Sequence, residues 1–187
     1  MSWYALFVGT GKEELVKTMI EKYLENRKMT AIVPKRKLYE RKRGITYVVY
    51  RTLFPGYVLL RTSMDPEIYY ELKSIPLYCK LLNNDCTYNA EQGGPYLFTN
   101  IEVEEISSVL QLIGTDETID FSTIYIENNK VKVLEGPLKG KEDIIKKVDK
   151  RKKRAKIILR ILGNEIRLDV GIEILTTTEV EHLKIKA

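Results

Sequence analysis

A cluster of lysine and arginine residues near the C-terminal end is the part of this 187-residue chain best suited to bind a ligand, and that ligand would be anionic. Between Lys141 and Arg160 ten basic residues face three acidic ones, a net charge of +7, whereas the whole chain carries +5. Cations at this density repel one another, but they release counterions when they contact phosphate groups. The cluster therefore predicts a nucleic-acid-binding surface with the candidate residues Lys141, Lys146, Lys147, Lys150, Arg151, Lys152, Lys153, Arg154 and Lys156.

The chain offers no group of residues suited to catalysis or to metal binding. Its single histidine, His182, lies in the C-terminal tail, and two cysteines, Cys79 and Cys86, are too few to complete a zinc site. The stretch from Gly9 to Lys12 joins a strand to a helix, but it lacks the glycine and the hydroxyl that a phosphate-binding loop requires. We therefore predict a protein that is not an enzyme and that uses neither a cofactor nor a metal.

A short strand and a tight turn come directly before the basic cluster. Val131 and Val133 alternate with lysines, as in a half-buried strand, and Gly136-Pro137 ends that strand. Further strands are expected at about 144–149, 154–161, 164–170 and 172–175, with the cations 150–154 at a hairpin turn. Short strands separated by short turns fit a small SH3-like β-barrel.

The N-terminal part has the pattern of an α+β fold, with helices packed against a mainly antiparallel sheet. Apolar runs predict strands near residues 3–8, 31–33, 45–51 and 57–60. Thr10 and Glu13 have the spacing of a capping box before the first helix, and Asp65-Pro66 is a strong start for the second. The basic stretch 35–43 is expected near the tip of a hairpin.

A change of charge along the chain divides it into two parts. The residues before Asn128 carry −2 and the remainder carries +7, a break that is typical of two functional units. We predict an N-terminal domain over residues 1–115, a linker over 116–127, and a barrel with a short tail over 128–187.

Three motifs, in order along the chain, resemble the NusG family: Trp3-Tyr4, Phe54-Pro55-Gly56-Tyr57-Val58 and Glu135-Gly136-Pro137-Leu138-Lys139-Gly140. The resemblance implies an N-terminal NusG (NGN) domain, an α/β sandwich, followed by an SH3-like barrel that contains the KOW motif. It also implies that the first domain binds RNA polymerase at the clamp helices of the largest subunit. Phe54, Tyr57 and Leu59 are then the candidate polymerase-binding residues, although all three could instead be ordinary core of the sheet.

Details of the barrel resemble the LoaP-type paralogues, which are specialised antiterminators within this family. The stretch from Gly163 to Ile174 is similar to their barrel ending, and Lys141-Glu142-Asp143 replaces the apolar contact through which the housekeeping factor binds a ribosomal protein. The resemblance implies a processive antiterminator, and the basic surface of the barrel predicts that it binds a structured nascent RNA. The alternatives are a general NusG-like factor whose barrel binds ribosomal protein or Rho, and a stand-alone RNA-binding protein.

The kind of RNA follows from the composition of the basic cluster. The cluster contains no aromatic residue, which disfavours a mode in which single-stranded bases stack on side chains. Arg151 and Arg154 are candidates for reading base edges, because guanidinium groups make paired contacts and stack. The alternative is a solvated turn that only keeps the protein soluble.

A second basic stretch lies in the N-terminal part. By resemblance this edge faces the non-template DNA, and its candidate residues are Lys35, Arg36, Lys37, Arg41, Lys42 and Arg43. The sequence has no 18-residue apolar run and no signal-peptide pattern at its start, so we expect a cytoplasmic protein without a membrane contact. A monomer is expected.

Overall fold

The structure, a computed structural model, describes residues 1–82, 98–128 and 130–176 together with Glu179. The predictions for Cys86, for His182 and for most of the segment 78–98 fall outside the described residues. Two compact units are present. The first comprises Met1–Val33 and Phe54–Ile106, and the second comprises Pro34–Leu53 and Ser107–Ala187.

Short strands make up most of both units. In chain order they are β1 (Ser2–Val8), β2 (Met29–Ile32), β3 (Lys35–Lys42), β4 (Ile45–Thr52), β5 (Tyr57–Thr62), β6 (Tyr78–Leu81), β7 (Thr118–Ile119), β8 (Ser122–Glu127), β9 (Lys130–Glu135), β10 (Ile145–Asp149), β11 (Arg154–Ile161) and β12 (Asn164–Ile174). The helices are α1 (Glu13–Tyr23), α2 (Pro66–Ser74) and α3 (Val103–Leu110), and a 3-10 turn spans Glu142–Ile144.

An antiparallel sheet in the order β2–β5–β1–β6 organises the first unit. Because alternate residues of a strand face opposite sides, Leu6 and Val8 of β1 and Leu60 of β5 enter one core. Val16 and Ile20 of α1 complete that core from the helix side. This arrangement confirms the predicted α+β class for the N-terminal part.

The starts of two helices test the predicted caps. Asp65 caps α2 as predicted, since its Oδ1 accepts a hydrogen bond from the backbone N–H of Ile68 at 2.7 Å. The capping box predicted for α1 is wrong, because α1 begins at Glu13 and its N-cap residue, Lys12, makes no side-chain cap. The Glu13 carboxylate instead accepts a hydrogen bond from the N–H of Gly56, far along the chain.

The second unit contains a five-stranded sheet in the order β10–β11–β12–β8–β9, curled like a small barrel. All its strand pairs are antiparallel except β12 with β8. Ala155, Ile157, Leu159 and Ile161 alternate along β11 and fill the interior. The predicted SH3-like class is confirmed.

The end of the barrel differs from the sequence prediction. Residues 164–174 form one continuous strand, not two strands divided at Gly171. A Cβ atom at Gly171 would overlap the ring of Phe121 and would lie 2.6 Å from the Lys37 carbonyl oxygen, so glycine permits a close approach here and does not break the strand. The fifth strand of the sheet is β8, which lies in the segment predicted as a linker.

Strands β3 and β4 form a hairpin, and it belongs to the second unit together with β7. The predicted position of the basic stretch near the tip is wrong, because the stretch forms strand β3 itself and only Arg43-Gly44 lies at the tip. The strand predicted at 31–33 is β2, which pairs with β5 and not with β4. The compact units thus differ from the boundaries predicted at 115 and 128. Those boundaries concern independently folding domains, and they stay a prediction.

Candidate nucleic-acid interface

The Gly136-Pro137 turn places the strand that leads into the basic cluster. Gly136 has a φ of +95°, and a Cβ atom there would lie 2.6 Å from the Phe121 carbonyl oxygen. The Ser122 hydroxyl accepts a hydrogen bond from the N–H of Leu138 at 3.0 Å, and both residues are fully buried. The turn is therefore fixed from inside the barrel, and only glycine fits at its first position.

The turn between β10 and β11 presents the predicted cations to solvent. Lys150, Arg151 and Lys152 are exposed, and their side chains make no hydrogen bond or ion pair within the described part of the chain. Asp149 holds the turn, since its Oδ1 accepts a hydrogen bond from the Lys152 N–H at 2.9 Å. These three side chains are available to a ligand.

The next two cations of the cluster are engaged in the fold. Lys153 Nζ lies 3.2 Å from a carboxylate oxygen of Glu173. Arg154 donates from Nη2 to the Tyr39 carbonyl oxygen at 3.3 Å, and its Nη1 lies 3.7 Å from Asp169 Oδ2. The Arg154 side chain is only 20% exposed. Of the two arginines predicted to read bases, Arg151 is accessible and Arg154 is mainly structural.

The remaining barrel cations also divide into two kinds. Lys141 Nζ donates to Gln111 Oε1 at 2.5 Å, and Lys146 Nζ donates to the Asp143 carbonyl at 3.0 Å. Lys147 and Lys156 are exposed and stand directly opposite each other on β10 and β11. Like charges opposite each other destabilise a sheet, so this pair favours a surface that receives an anion.

The predicted cations of the hairpin also differ in exposure. Arg36 is partly buried and donates from Nη1 to the Asp169 carbonyl oxygen at 2.7 Å, and Lys37 Nζ pairs with Asp120 at 2.8 Å. Lys35 is also partly buried, whereas Arg41, Lys42 and Arg43 are exposed. The structure thus places only the tip half of the stretch where a ligand could reach it.

Tyr39 connects the hairpin to the barrel strand β12. Its hydroxyl donates to a Glu173 carboxylate oxygen, and this hydrogen bond, with burial, raises the pKa of Tyr39 to about 12. Its ring stacks on Phe121 with centroids 4.5 Å apart, and Lys153 Nζ lies 5.1 Å from the ring centroid. Sequence reasoning missed this cluster, because its members are far apart in the chain.

Two arginines lie close together beneath this contact. Burial lowers the pKa of Arg36, and the neighbouring cations Arg154 and Arg51 lower it further, although Asp169 acts in the opposite direction. The Nε atoms of Arg36 and Arg154 are buried, and neither has a hydrogen-bond partner among the described residues. Both guanidinium groups thus keep an unused hydrogen-bond donor where the hairpin contacts the barrel.

The Phe54-Pro55-Gly56-Tyr57 motif forms a braced turn before β5 in the first unit. Gly56 donates from its N–H to Glu13 Oε1 at 2.6 Å, and its carbonyl oxygen accepts from the N–H of Val8 at 2.8 Å. Although burial raises the pKa of Glu13, backbone hydrogen bonds from Gly56 and Gly11 lower it, and the net effect is a pKa below the usual value. A buried carboxylate thus holds the turn in place.

The predicted polymerase-binding residues are not equally accessible. Phe54 and Leu59 are only 6% and 1% exposed, whereas Tyr57 is partly exposed. Phe7 lies opposite Tyr57 on β1, is 36% exposed and meets the Tyr57 ring edge-on with centroids 5.6 Å apart. Sequence reasoning missed Phe7, although its alternation with Leu6 and Val8 places it on the opposite face of the sheet.

Comparison with known proteins agrees with this architecture. The sequence model of the family described as "Transcription termination factor nusG" matches residues 1–107, more than half of the chain. The chain belongs to the NusG family. Proteins named "Transcription termination/antitermination protein NusG" are 26% identical to it in both Halalkalibacterium halodurans and Bacillus subtilis, over 90% of this chain and 94% of each relative.

A solved structure supports the fold of this family member. The chain described as "Domain interaction in Thermotoga maritima NusG" superposes with a TM-score of 0.50 at 22% identity and covers 91% of this chain and 93% of that one. At this identity the likeness concerns the fold. Within the described residues there is no cluster of potential metal ligands, and no helix there is long and apolar enough to cross a bilayer.

Proposed function

We propose that this protein is a transcription elongation factor that acts as a processive antiterminator and not as an enzyme. Membership of the NusG family supports the broad class, a NusG-like termination or antitermination factor. In our proposal the N-terminal domain binds the clamp helices of the largest RNA polymerase subunit. The C-terminal barrel binds a structured element of the nascent RNA.

The observation that supports RNA binding most directly is the group of unpaired cations on the β10–β11 turn. Lys150, Arg151 and Lys152 have no intramolecular partner within the described residues, although acidic residues are abundant in the chain. Unpaired neighbouring cations repel one another, and phosphate contacts would relieve that repulsion by releasing counterions. Asp149 also holds the backbone of the turn, so the turn itself needs little reorganisation when the cations bind.

Two modest contacts are sufficient for such a factor. When one domain holds polymerase and the other holds the transcript, the second binding event is intramolecular and takes place at a high effective concentration. The RNA contact then supplies selectivity for particular operons without high affinity of its own. In our proposal the exposed Arg43 at the hairpin tip adds a contact to non-template DNA.

A comparison of matched variants tests the RNA contact. The full-length protein is mixed with a hairpin RNA whose stem spans about 16 base pairs, the length that a double-stranded-RNA-binding domain covers. Replacing Arg151 and Lys152 with alanine should weaken binding. The slope of log K, where K is the binding constant, against log[salt] should become shallower by about 0.9 for each lost phosphate contact.

The control variant changes the same amount of charge elsewhere. Lys22 and Lys28 are exposed in the first unit, and their replacement with alanine should leave both affinity and slope close to those of the unmodified protein. Equal losses in the two double variants would mean that only net charge matters. Unchanged binding in the turn variant would overturn the proposal.

A further inference from the structure

A groove with cationic walls lies within the second unit, between the β3–β4 hairpin and the β10–β11 turn. Its volume is about 760 Å³. Arg41 and Thr46 line it from the hairpin, and Arg151 and Lys152 line it from the turn. Tyr39, Glu40, Lys153 and Arg154 complete the lining. The two basic stretches of the sequence thus meet at one site.

The charge of the lining is strongly one-sided. Five cations line the groove beside a single carboxylate, that of Glu40. Glu40 is itself paired with Arg51 at 2.9 Å, and Lys153 and Arg154 already face the carboxylates of Glu173 and Asp169. Arg41, Arg151 and Lys152 make no ion pair within the described residues, so these three supply the net positive charge of the groove. Close cations around a concave surface raise the local concentration of anions, and the ligand that this groove fits is therefore polyanionic.

The groove offers no open aromatic face to a base. Among the described residues Tyr39 is the only aromatic one in the lining, and Phe121 stacks on one face of that ring at 4.5 Å with an interplanar angle of 12°. The ammonium group of Lys153 lies over the ring, 5.1 Å from its centroid. Binding of single strands relies on stacking platforms, and this ring is already occupied. The lining instead suits phosphates on the outside of a helix.

We propose that this groove binds the phosphate backbone of a double-stranded RNA stem, gripped by Arg41 of the hairpin and by Arg151 and Lys152 of the turn. This inference rests on the proposed function and deepens it, since the RNA site then extends from the barrel to the hairpin. Double-stranded RNA is recognised mostly through its shape, its phosphates and its 2′-hydroxyl groups. Two rigid walls of cations match such a target.

The two walls are connected by contacts that fix their spacing. Arg154, below the turn, donates to the Tyr39 carbonyl of the hairpin at 3.3 Å, and Arg36 donates to the Asp169 carbonyl of β12 at 2.7 Å. Binding then requires little reorganisation, which favours affinity. The hairpin wall consequently contributes to the site even though the sequence assigns it to the N-terminal part.

Neighbouring residues of β3 provide a matched test in the full-length protein. Arg41 lines the groove, whereas Lys42 is also exposed but does not line it. Alanine variants of each are titrated with the hairpin RNA, with a single-stranded RNA of the same composition, and with a DNA duplex of the same sequence. Circular dichroism melting confirms that each variant is folded.

We expect R41A to bind the RNA stem roughly three- to tenfold more weakly, the usual net effect of one lost hydrogen bond. The slope of log K against log[salt] should become shallower by about 0.9, as for one lost phosphate contact. K42A should change neither the affinity nor this slope. If R41A behaves like K42A while the Arg151/Lys152 variant loses binding, the hairpin is not a wall of the site, although the proposed function stands.

The other ligands separate the remaining outcomes. Equal or tighter binding of the DNA duplex, with the same loss in R41A, would make the groove a DNA site and overturn the inference. Preference for single-stranded RNA would overturn it as well. If no RNA binds to the unmodified protein, the proposed function fails together with the inference.

Discussion

Glu13 illustrates how one side chain determines structure far from its own segment. Its position before an apolar helix predicts a local cap, yet its carboxylate is buried and accepts a hydrogen bond from the N–H of Gly56. The pattern of a capping box describes only nearby partners, so the sequence could not show this one. The result is a braced turn beside Tyr57.

Replacing Glu13 with glutamine should destabilise the protein by about 1.5–3 kcal/mol at neutral pH, the usual contribution of a hydrogen bond to a charged group. Because the folded-state pKa of Glu13 is lowered, this stabilisation is present above the ordinary carboxyl pKa and is lost as the pH falls through the lowered value. Urea unfolding at pH 7 and pH 3 measures the difference. An equal difference at both pH values would contradict the role of the carboxylate.

Gly136 provides a residue-scale test of the barrel. Alanine at Gly136 would collide with Phe121 and Ser122, whereas alanine at Gly140 would meet no atom of the described residues within 4 Å and shares a positive φ, +74°. Gly140→Ala should cost about 1 kcal/mol, the cost of the backbone conformation alone. Gly136→Ala should cost several times more. Thermal unfolding of the two variants gives the comparison, and similar melting temperatures would refute the close packing of the turn.

The sequence does not predict which side chains of the two basic stretches are buried. Arg36 and Arg154 belong to cationic runs that predict a solvated surface, but Asp169 and the Tyr39 carbonyl draw both inward. These partners lie up to 133 positions away in the chain. The exposure of Lys150, Arg151 and Lys152 was predictable, because they occupy a turn.

At the scale of elements, the sequence predicts a hairpin in the region of β3 and β4, but it does not predict that this hairpin packs against β12. The apolar run 45–51 predicts one strand of a hairpin, but the charged stretch 35–43 has no strand pattern and is expected at the tip, whereas it forms the partner strand β3. Its packing against β12 depends on Gly171, where the absence of a side chain admits Phe121 and the Lys37 carbonyl. Sequence patterns interpret that glycine as a break, so the length of β12 was also missed.

The contact between Tyr39 and Glu173 should control the attachment of this hairpin. Tyr39→Phe keeps the ring on Phe121 but removes the donated hydrogen bond, and we expect a loss of about 1 kcal/mol. Hydrogen exchange of residues 35–52 should then be faster, while exchange in β1 and β5 stays the same. Unchanged exchange in the hairpin would show that the hydrogen bond does not hold it.

The same contact has a defined pH dependence. The folded-state pKa of Tyr39 is raised to about 12, above its ordinary value, so its hydrogen bond stabilises the protein below the ordinary pKa and is lost as the pH rises towards the raised one. The difference in hydrogen exchange between Tyr39→Phe and the unmodified protein should therefore narrow as the pH rises above 10. A constant difference would contradict this assignment.

At the scale of the whole molecule, two surfaces of different chemistry lie in different units. The first unit exposes the aromatic pair Phe7 and Tyr57, and the second exposes the cations around Arg151. Partly buried aromatic residues are typical interface hot spots, and clustered cations are typical of nucleic-acid sites. The overall fold and the family were predictable from motifs and patterns spread along the chain, because each depends on local sequence.

Separate surfaces predict separate losses of binding. As an interface hot spot, Tyr57 contributes about 2 kcal/mol or more, so Tyr57→Ala should weaken association with RNA polymerase by at least about thirtyfold. It should leave binding of the hairpin RNA unchanged. Tyr23→Ala is the control, because Tyr23 is 62% exposed on α1. A polymerase pull-down reports the first effect. Loss of folding in Tyr57→Ala alone would support a core role for Tyr57 instead.

The central claim is that the cationic surface of the second unit holds structured RNA, and crosslink mapping tests it most directly. The full-length protein is irradiated with a photoreactive hairpin RNA, and the crosslinked peptides are located by mass spectrometry. Our account predicts crosslinks between Lys141 and Lys156, and at Arg41 as well. Crosslinks confined to residues 1–33 and 54–82, with none in the barrel, would contradict it.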